Sequence, residues 1–309
     1  MRSANARGAL FMSVSMAAFA INDGFLKLTF QDMSVLQAVF LRGAFASAIL
    51  LALVARRDLL FYRPPRRDVG PISLRAFGEV GATAAFMAAL ANMPIANATA
   101  VLQAAPLAVT MAAALILGER VGWRRWTAIG VGFVGMLFIV QPGTEGFDVF
   151  ALFAVAAVVF IVVRDLGTRQ MSDSVPKVWA SALSAVVIFL CAAILMPLVG
   201  WRSLGLLEWA LVASAAVFLV IGYFTNVISM REGEVSVVAP FRYTVLIWAL
   251  VIGYVLFAEI PGPTTLFGAA IVTLAGLYTL WREHRLGRDV AARASARPFG
   301  GGTRGQKHL

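Results

Sequence analysis

Residues 178–199, VWASALSAVVIFLCAAILMPLV, form a long apolar stretch that contains no charged side chain. A helix needs about 20 predominantly apolar residues to cross the hydrocarbon core of a bilayer, and this stretch is long enough. Residues 10–26 and 77–117 form further stretches with almost no charge, and the second can hold two helices joined by a turn. Together these stretches predict an all-α integral membrane protein.

The composition of the whole chain agrees with this class of protein. Hydrophobic residues make up 60% of the 309 residues, and the mean hydropathy is +0.83, whereas a soluble domain is about 45–50% apolar. Such a chain lacks the polar surface to cover itself in water, so the excess must face lipid. The net charge of +10 lies in loops and in the terminal tail, which favours a topological explanation over a nucleic-acid partner.

Ten apolar segments are separated by charge, by glycine and proline, or by polar clusters. The third is divided from the fourth only at Asn92-Met93-Pro94, because a proline disfavours helical geometry in the residue before it. The first segment resembles a signal peptide, but its apolar run is too long and no clear cleavage site follows, so we interpret it as a retained helix. The predicted spans are residues 8–29, 34–55, 73–93, 95–117, 123–140, 147–167, 178–199, 208–230, 234–257 and 263–281.

The distribution of Lys and Arg orients these segments, because cytoplasmic loops of membrane proteins carry an excess of both residues. If the N-terminus is cytoplasmic, the outer loops hold only Lys27 and Arg202, while Arg42 and Arg242 lie within helices. All others of the 26 basic residues then lie on the inner side. We therefore predict a multi-pass protein of a bacterial inner membrane with both termini in the cytoplasm.

The ten segments divide into two sets of five. An odd number of helices in each set places the second set in the opposite orientation, which is an inverted repeat. The sequences Leu117-Gly118-Glu119 and Phe257-Ala258-Glu259 end corresponding segments of the two sets. We expect five-helix repeats at residues 8–140 and 147–281, a substrate cavity between them, and a basic, disordered cytoplasmic tail at 282–309.

A resemblance to a known family rests on short motifs at residues 20–27, 40–43, 98–106, 117–120, 237–243 and 257–259. In these motifs and their order the chain resembles the ten-helix EamA type of the drug/metabolite transporter superfamily over nearly its whole length, up to residue 282. The resemblance implies transport of metabolites such as amino acids, nucleotide-like compounds or vitamins. Asp23, Lys27 and the Pro-Phe-Arg-Tyr sequence at 240–243 are similar to the subgroup of S-adenosylmethionine and riboflavin uptake proteins.

Arg42 is the first candidate for the substrate pathway. An arginine near the middle of a spanning helix costs about 2.5–3.5 kcal/mol on insertion scales, so it normally faces the bundle interior with a partner. Asp23 lies at a similar depth on the first helix, and Lys27 shares its face four residues on. We expect Asp23, Lys27 and Arg42 to form a polar cluster, which either contacts the solute or only fixes the first two helices.

Arg242 is the corresponding charge in the second half. Pro240 frees a backbone carbonyl, and Tyr243 and Trp248 add aromatic groups, so this helix suits an anionic or π-rich solute. Glu79 is buried in the third span, where it can couple transport to protons or pair with Arg242 or Arg75. The remaining pathway candidates are neutral and suit hydrogen bonds to a solute or between helices: Asn22, Gln103, Tyr223 and Asn226. Pro106, Pro240, Glu119 and Glu259 are predicted to have structural or gating roles.

Other classes of protein are disfavoured. The single cysteine, Cys191, and the two histidines, which follow the last span, offer no metal site. Gly130-x-Gly132-x-x-Gly135 lies within an apolar helix, where close packing explains it better than a dinucleotide. A channel would favour charged rings, which a five-plus-five chain does not repeat. We predict a secondary or facilitative transporter without cofactor, monomeric or homodimeric, whose partners are a small-molecule substrate and the lipid bilayer. Uptake is favoured, with export of amino acids or toxic metabolites as the alternative.

Overall fold

The computed structural model describes residues 2–119, 121–143, 148–232 and 234–295, and the regular secondary structure in these residues is helical. Ten helices or helix pairs within them are long and apolar enough to span a membrane, which confirms the predicted all-α fold. The helices are α1 (Arg2–Thr29), α2 (Val35–Ala55), α3 (Arg66–Asn92), α4 (Ile95–Leu102), α5 (Ala105–Ile116), α6 (Trp123–Val140), α7 (Ala151–Gln170), α8 (Lys177–Leu195), α9 (Leu206–Glu232), α10 (Val235–Val238), α11 (Thr244–Phe257) and α12 (Pro263–Ser295).

The division between the third and fourth spans is confirmed, because α3 ends at Asn92 and α4 begins at Ile95, directly after Pro94. Several helices continue past their predicted ends. The third begins at Arg66 rather than at 73, and α7 reaches Gln170 rather than 167. Charged residues at the ends of spans continue the helix beyond the apolar run, since long basic side chains there can reach the interface.

Two spans that were predicted as continuous helices are interrupted. The fourth divides into α4 and α5 at Gln103 and Ala104, just before Pro106. The ninth consists of α10, a short 3-10 helix at Ala239–Tyr243 that contains Pro240, and α11. In each case a proline removes a backbone donor from the helical ladder. Each half of the chain therefore has a break in its fourth span.

The last helix corrects the predicted start of the tail. Helix α12 runs to Ser295, so residues 282–295 are helical rather than disordered. Residues 296–309, the rest of the predicted disordered tail, lie outside the described residues.

Helices α5 and α11 end in the same way. Gly118 and Ala258 have left-handed backbones, with φ of 70° and 53°. The next residue in each case, Glu119 or Glu259, donates its N–H to a carbonyl six residues back, at 3.2 Å and 3.0 Å. A left-handed residue directly after the last helical turn is a common way for a helix to end. The two glutamates thus occupy matching positions in the two halves, as their sequence context predicted.

The packing of the spans has the symmetry of two equivalent halves. The closest helix pairs each join one half to the other: α1 with α9, α3 with α7, α2 with α8 and α6 with α12. Each of the first five spans corresponds to the span five places later in the chain. If every span is exchanged for its counterpart, the same set of pairs results. The two halves are therefore packed as structural equivalents around a shared interface.

Candidate functional site

A cavity of about 710 Å³ lies between the two halves. It is lined by residues of α1 to α5 in the first half and by residues of α7, α8, α9 and the 3-10 helix at Ala239–Tyr243 in the second. Its volume is typical of sites for small organic molecules. Aromatic rings of Phe19, Phe86 and Tyr223 form part of the wall. Charged and neutral polar groups share the cavity with these rings, so it suits a solute that is both polar and cyclic.

The cavity reaches one end of the bundle and not the other. Arg75, Thr168 and Arg169 line it where α3 begins and α7 ends, and Thr168 and Arg169 are exposed there. At the opposite end, Lys27 and Glu259 lie outside the lining. The cavity is therefore accessible from the side on which α1 begins.

Arg42 lies in the wall of the cavity, and only 7% of its surface is exposed. It interacts electrostatically with Asp23, Tyr223 and Glu79. Within the described ranges it makes no hydrogen bond and no ion pair at contact distance. Asp23 instead accepts a hydrogen bond from Nδ2 of Asn22 at 2.8 Å. Arg42 and Asp23 therefore share the cavity without a direct ion pair between them.

Lys27 does not join Asp23 and Arg42 in the cavity. Its ammonium group donates to Glu259 Oε1 at 2.6 Å and to the carbonyl of Met93 at 2.6 Å, and it lies over the ring of Phe257. Glu259 also accepts the N–H of Ile95 through Oε2 at 2.9 Å. Lys27 lies one helical turn beyond Asp23, where the α3–α4 turn and the end of α11 supply acceptors. It closes the far end of the bundle and does not belong to the cavity.

Glu79 lines the cavity, but its partner differs from both that were predicted. Its Oε2 lies 3.6 Å from Nε of Arg164, and the same Nε donates to Asp165 Oδ1 at 2.8 Å. Arg164 was counted only among the basic residues of the inner side, so its place in the cavity was not predicted. The adjacent opposite charges of Arg164 and Asp165, just before the end of the predicted span, are the sequence signal that could have indicated this site.

Asn22, Tyr223, Asn226 and Arg242 line the cavity as predicted, and the rings of Phe19 and Tyr223 meet edge to face at 5.5 Å. Further polar or charged residues of the lining were not named in advance as pathway residues: Arg75, Thr83, Arg164, Asp165, Thr168, Arg169, Ser181 and Ser184.

Besides Lys27, three predicted pathway residues do not line the cavity. Gln103 lies at the break between α4 and α5, where its backbone N–H rather than its side chain makes the hydrogen bonds that end α4. Tyr243 is buried with its hydroxyl against Gly276. Trp248 packs against Met12, Met16 and Val238.

The four residues predicted to be structural or gating lie at helix ends and breaks. Pro106 and Pro240 accompany the interruptions of the fourth and ninth spans. Glu119 pairs with Arg169 at 2.8 Å, and this pair is half-exposed. Glu259 pairs with Lys27 at 2.6 Å, with only 12% and 19% of the Lys27 and Glu259 side chains exposed. Each ion pair joins one half of the chain to the other, and they lie at opposite ends of the bundle.

Comparison with known proteins adds independent information. The sequence model of the EamA-like transporter family matches residues 6–141 and again residues 149–281. A riboflavin transporter of Rhizobium johnstonii is 29% identical over 92% of this chain and 94% of its own length. An S-adenosylmethionine uptake transporter of Rickettsia felis is 26% identical over 88% of this chain and 92% of its own.

Two further similarities concern direction and fold. The pseudopaline exporter CntI of Pseudomonas aeruginosa is 24% identical over 87% of this chain and 94% of its own length. A solved structure that is 18% identical covers 90% of this chain and 98% of its own, with a TM-score of 0.60. At that identity the structural similarity concerns the fold alone.

Proposed function

Since the chain belongs to the EamA-like transporter family, and is a multi-pass membrane transporter rather than an enzyme, we propose that it imports a small organic metabolite of the riboflavin or S-adenosylmethionine type across a bacterial inner membrane. The cavity between the two halves carries this proposal. It has the volume, the aromatic wall and the polar groups that such a solute needs. Similarity to two kinds of uptake protein supports import.

Alternating access is the mechanism that this architecture supports. Transporters built from repeats place the substrate between the repeats and expose it to one side at a time. Here the cavity is accessible at the end where α1 begins, and the Lys27–Glu259 pair lies across the other end. With a cytoplasmic N-terminus this arrangement is an inward-open state. Breaking the pair would accompany opening to the outside.

The substrate contacts are proposed to come from both halves. Asn22, Asp23 and Arg42 belong to the first half, while Tyr223, Asn226 and Arg242 belong to the second. A solute that bridges the two groups would bind differently in each state of the transporter. Such differential binding is what couples the solute to the conformational change.

Uptake by intact cells tests the proposed function. Cells that can make neither riboflavin nor S-adenosylmethionine would receive each labelled compound, with this protein or with an empty vector. We expect protein-dependent accumulation of one of them, and its loss in the Arg42→Ala variant at normal abundance. Arg56→Ala, at the inner end of α2 and outside the cavity, is the matched control and should transport normally.

Export is the second candidate, because the chain is also similar to a pseudopaline exporter. An exporter of amino acids or toxic metabolites would cause no accumulation of riboflavin or of S-adenosylmethionine. It would instead raise the concentration of amino acids or toxic analogues that cells tolerate. Growth in an excess of these compounds, with and without the protein, therefore separates the two directions.

Cysteine labelling can measure the proposed orientation directly, because the chain has one native cysteine, Cys191, to replace. In a Cys191→Ala background, Ser203→Cys lies in the α8–α9 loop and Asp173→Cys in the α7–α8 loop, and both positions are exposed. With cytoplasmic termini, a membrane-impermeant maleimide should label position 203 in intact cells. It should label position 173 only after permeabilisation, and the reverse pattern would overturn the orientation.

A further inference from the structure

The charges that line the cavity are unequal in number. Five arginines line it, at positions 42, 75, 164, 169 and 242, against three carboxylates, at positions 23, 79 and 165. Glu119, which lies outside the lining, pairs with Arg169. Even with Glu119 included, the arginines outnumber the acidic groups. The cavity wall therefore carries an excess of positive charge.

Three of these arginines have local partners. Arg164 is held by Asp165 and Glu79, and Arg169 is held by Glu119. Arg75 donates to the hydroxyl of Thr168 at 2.7 Å. Arg42 and Arg242 have neither a hydrogen bond nor an ion pair at contact distance within the part of the chain that the structure describes.

The surroundings of these two arginines differ but lead to the same consequence. Arg42 is buried, and Asp23 acts on it only through space. Arg242 is exposed to the cavity directly before the N-terminus of α11, where Asp165 attracts it and Arg164 repels it, both only through space. A helix N-terminus adds positive potential. Burying an unpaired charge is unfavourable, so the buried Arg42 favours an incoming negative group, and Arg242 presents a second positive group to the same cavity.

We propose that the transported metabolite is an organic anion, with a carboxylate or phosphate recognised by Arg42 and Arg242 and a ring packed against Phe19, Phe86 and Tyr223. This inference rests on the proposed transport function and narrows its substrate to an anionic metabolite with a ring, which excludes riboflavin itself because riboflavin is uncharged at pH 7. S-Adenosylmethionine carries a net positive charge, from its sulfonium and ammonium groups against one carboxylate, so this wall disfavours it. A ring system with acidic or strongly hydrogen-bond-accepting groups fits the wall better.

Binding to the purified protein in detergent tests the charge preference without requiring transport. Indole-3-acetate, indole-3-acetamide and tryptamine share one ring and differ in charge, being anionic, neutral and cationic at pH 7. Their dissociation constants would be obtained from ligand-dependent thermal stabilisation. We expect the anion to bind at least about tenfold more tightly than the other two, as charge-assisted hydrogen bonds to arginine imply.

Two variants and a control locate the preference. Arg42→Gln and Arg242→Gln should each reduce the preference for the anion at least about fivefold, while Arg56→Gln, outside the cavity, should leave it unchanged. If Arg42→Gln does not fold, Arg42→Lys takes its place in the test. Because lysine retains the positive charge, this variant should still prefer the anion, but by a smaller factor than the unmodified protein. Equal binding of the three probes, or a preference unchanged in both cavity variants, would overturn the inference.

The outcomes separate this inference from the proposed function. Protein-dependent flux of a cationic or neutral metabolite, with no preference for anions, would overturn the anion class and leave the transporter intact. A clear preference for the anion, with no flux of any probe or metabolite into vesicles, would support the subsite and contradict the proposed uptake function.

Discussion

Cross-linking positions 27 and 259 is expected to abolish transport. Lys27 Nζ lies 2.6 Å from Glu259 Oε1 at the closed end of the bundle. This ion pair connects α1 of the first half to the end of α11 in the second. If the two halves must separate there to admit the solute, a covalent bridge will hold the outer end shut. Flux should fall to the level of an empty vector, a loss of at least about two orders of magnitude, because the alternating cycle cannot continue.

The measurement uses the Lys27→Cys/Glu259→Cys protein in a Cys191→Ala background and a short methanethiosulfonate bridge that dithiothreitol cleaves. Flux is recorded before bridging, after bridging and after cleavage, and the two single-cysteine proteins receive the same reagent as controls. Restored flux after cleavage would show that the bridge, rather than the substitutions, stops the cycle. Undiminished flux in fully bridged protein would refute the role of this end as a gate.

Alanine at Gly78 or Gly167 is expected to cause a large loss of stability. These glycines let α3 and α7 approach closely. An added Cβ at Gly78 would lie 2.7 Å from Cα of Arg164, and one at Gly167 would lie 2.7 Å from the backbone N of Arg75. Both obstacles are backbone, so the helices must move apart. Overpacking of this kind costs about 1–3 kcal/mol, and it would displace Arg164 from Glu79.

The matched control is Gly130→Ala in α6, where an added Cβ would meet nothing within 4 Å. Alanine is the better helix former by about 1 kcal/mol, so this variant should be neutral or slightly more stable. Thermal unfolding of the purified proteins in one detergent gives the comparison. Equal unfolding temperatures for Gly78→Ala and Gly130→Ala would contradict the close packing of α3 on α7.

The number of spans could be predicted because apolar length and the alternation of basic loops are local properties of the sequence. The helix breaks were harder to predict. Pro106 and Pro240 indicated where the backbone loses a donor, but apolar sequence continues on both sides of each break. A hydrophobic pattern indicates which side chains can face lipid. It says little about where a spanning helix is interrupted.

Site prediction succeeded where a charge was isolated in apolar surroundings. Arg42 and Arg242 stand out for that reason, and both line the cavity. It failed where the partner came from a distant part of the chain. Lys27 was assigned to Asp23 because they share a helical face, whereas its partner, Glu259, is brought close only by packing between the two halves. Pairings of this kind depend on three-dimensional packing, which one sequence does not determine.

Arg164 was missed for a different reason. It lies near the end of α7, where the same basic residue can equally belong to a loop or to a helix that continues past its apolar run. The positive-inside pattern counted it as a topological charge. Its position toward Glu79 depends on how closely Gly78 and Gly167 let α3 and α7 approach.

Substrate counterflow in liposomes that contain only the purified protein tests the central claim most directly. Vesicles loaded with unlabelled riboflavin would be diluted into labelled riboflavin, and the experiment would be repeated with S-adenosylmethionine and with an indole carboxylate. The account predicts transient accumulation of label for at least one compound, at a rate that Arg42→Gln reduces and Arg56→Gln does not. No protein-dependent accumulation of any of the three compounds would contradict it.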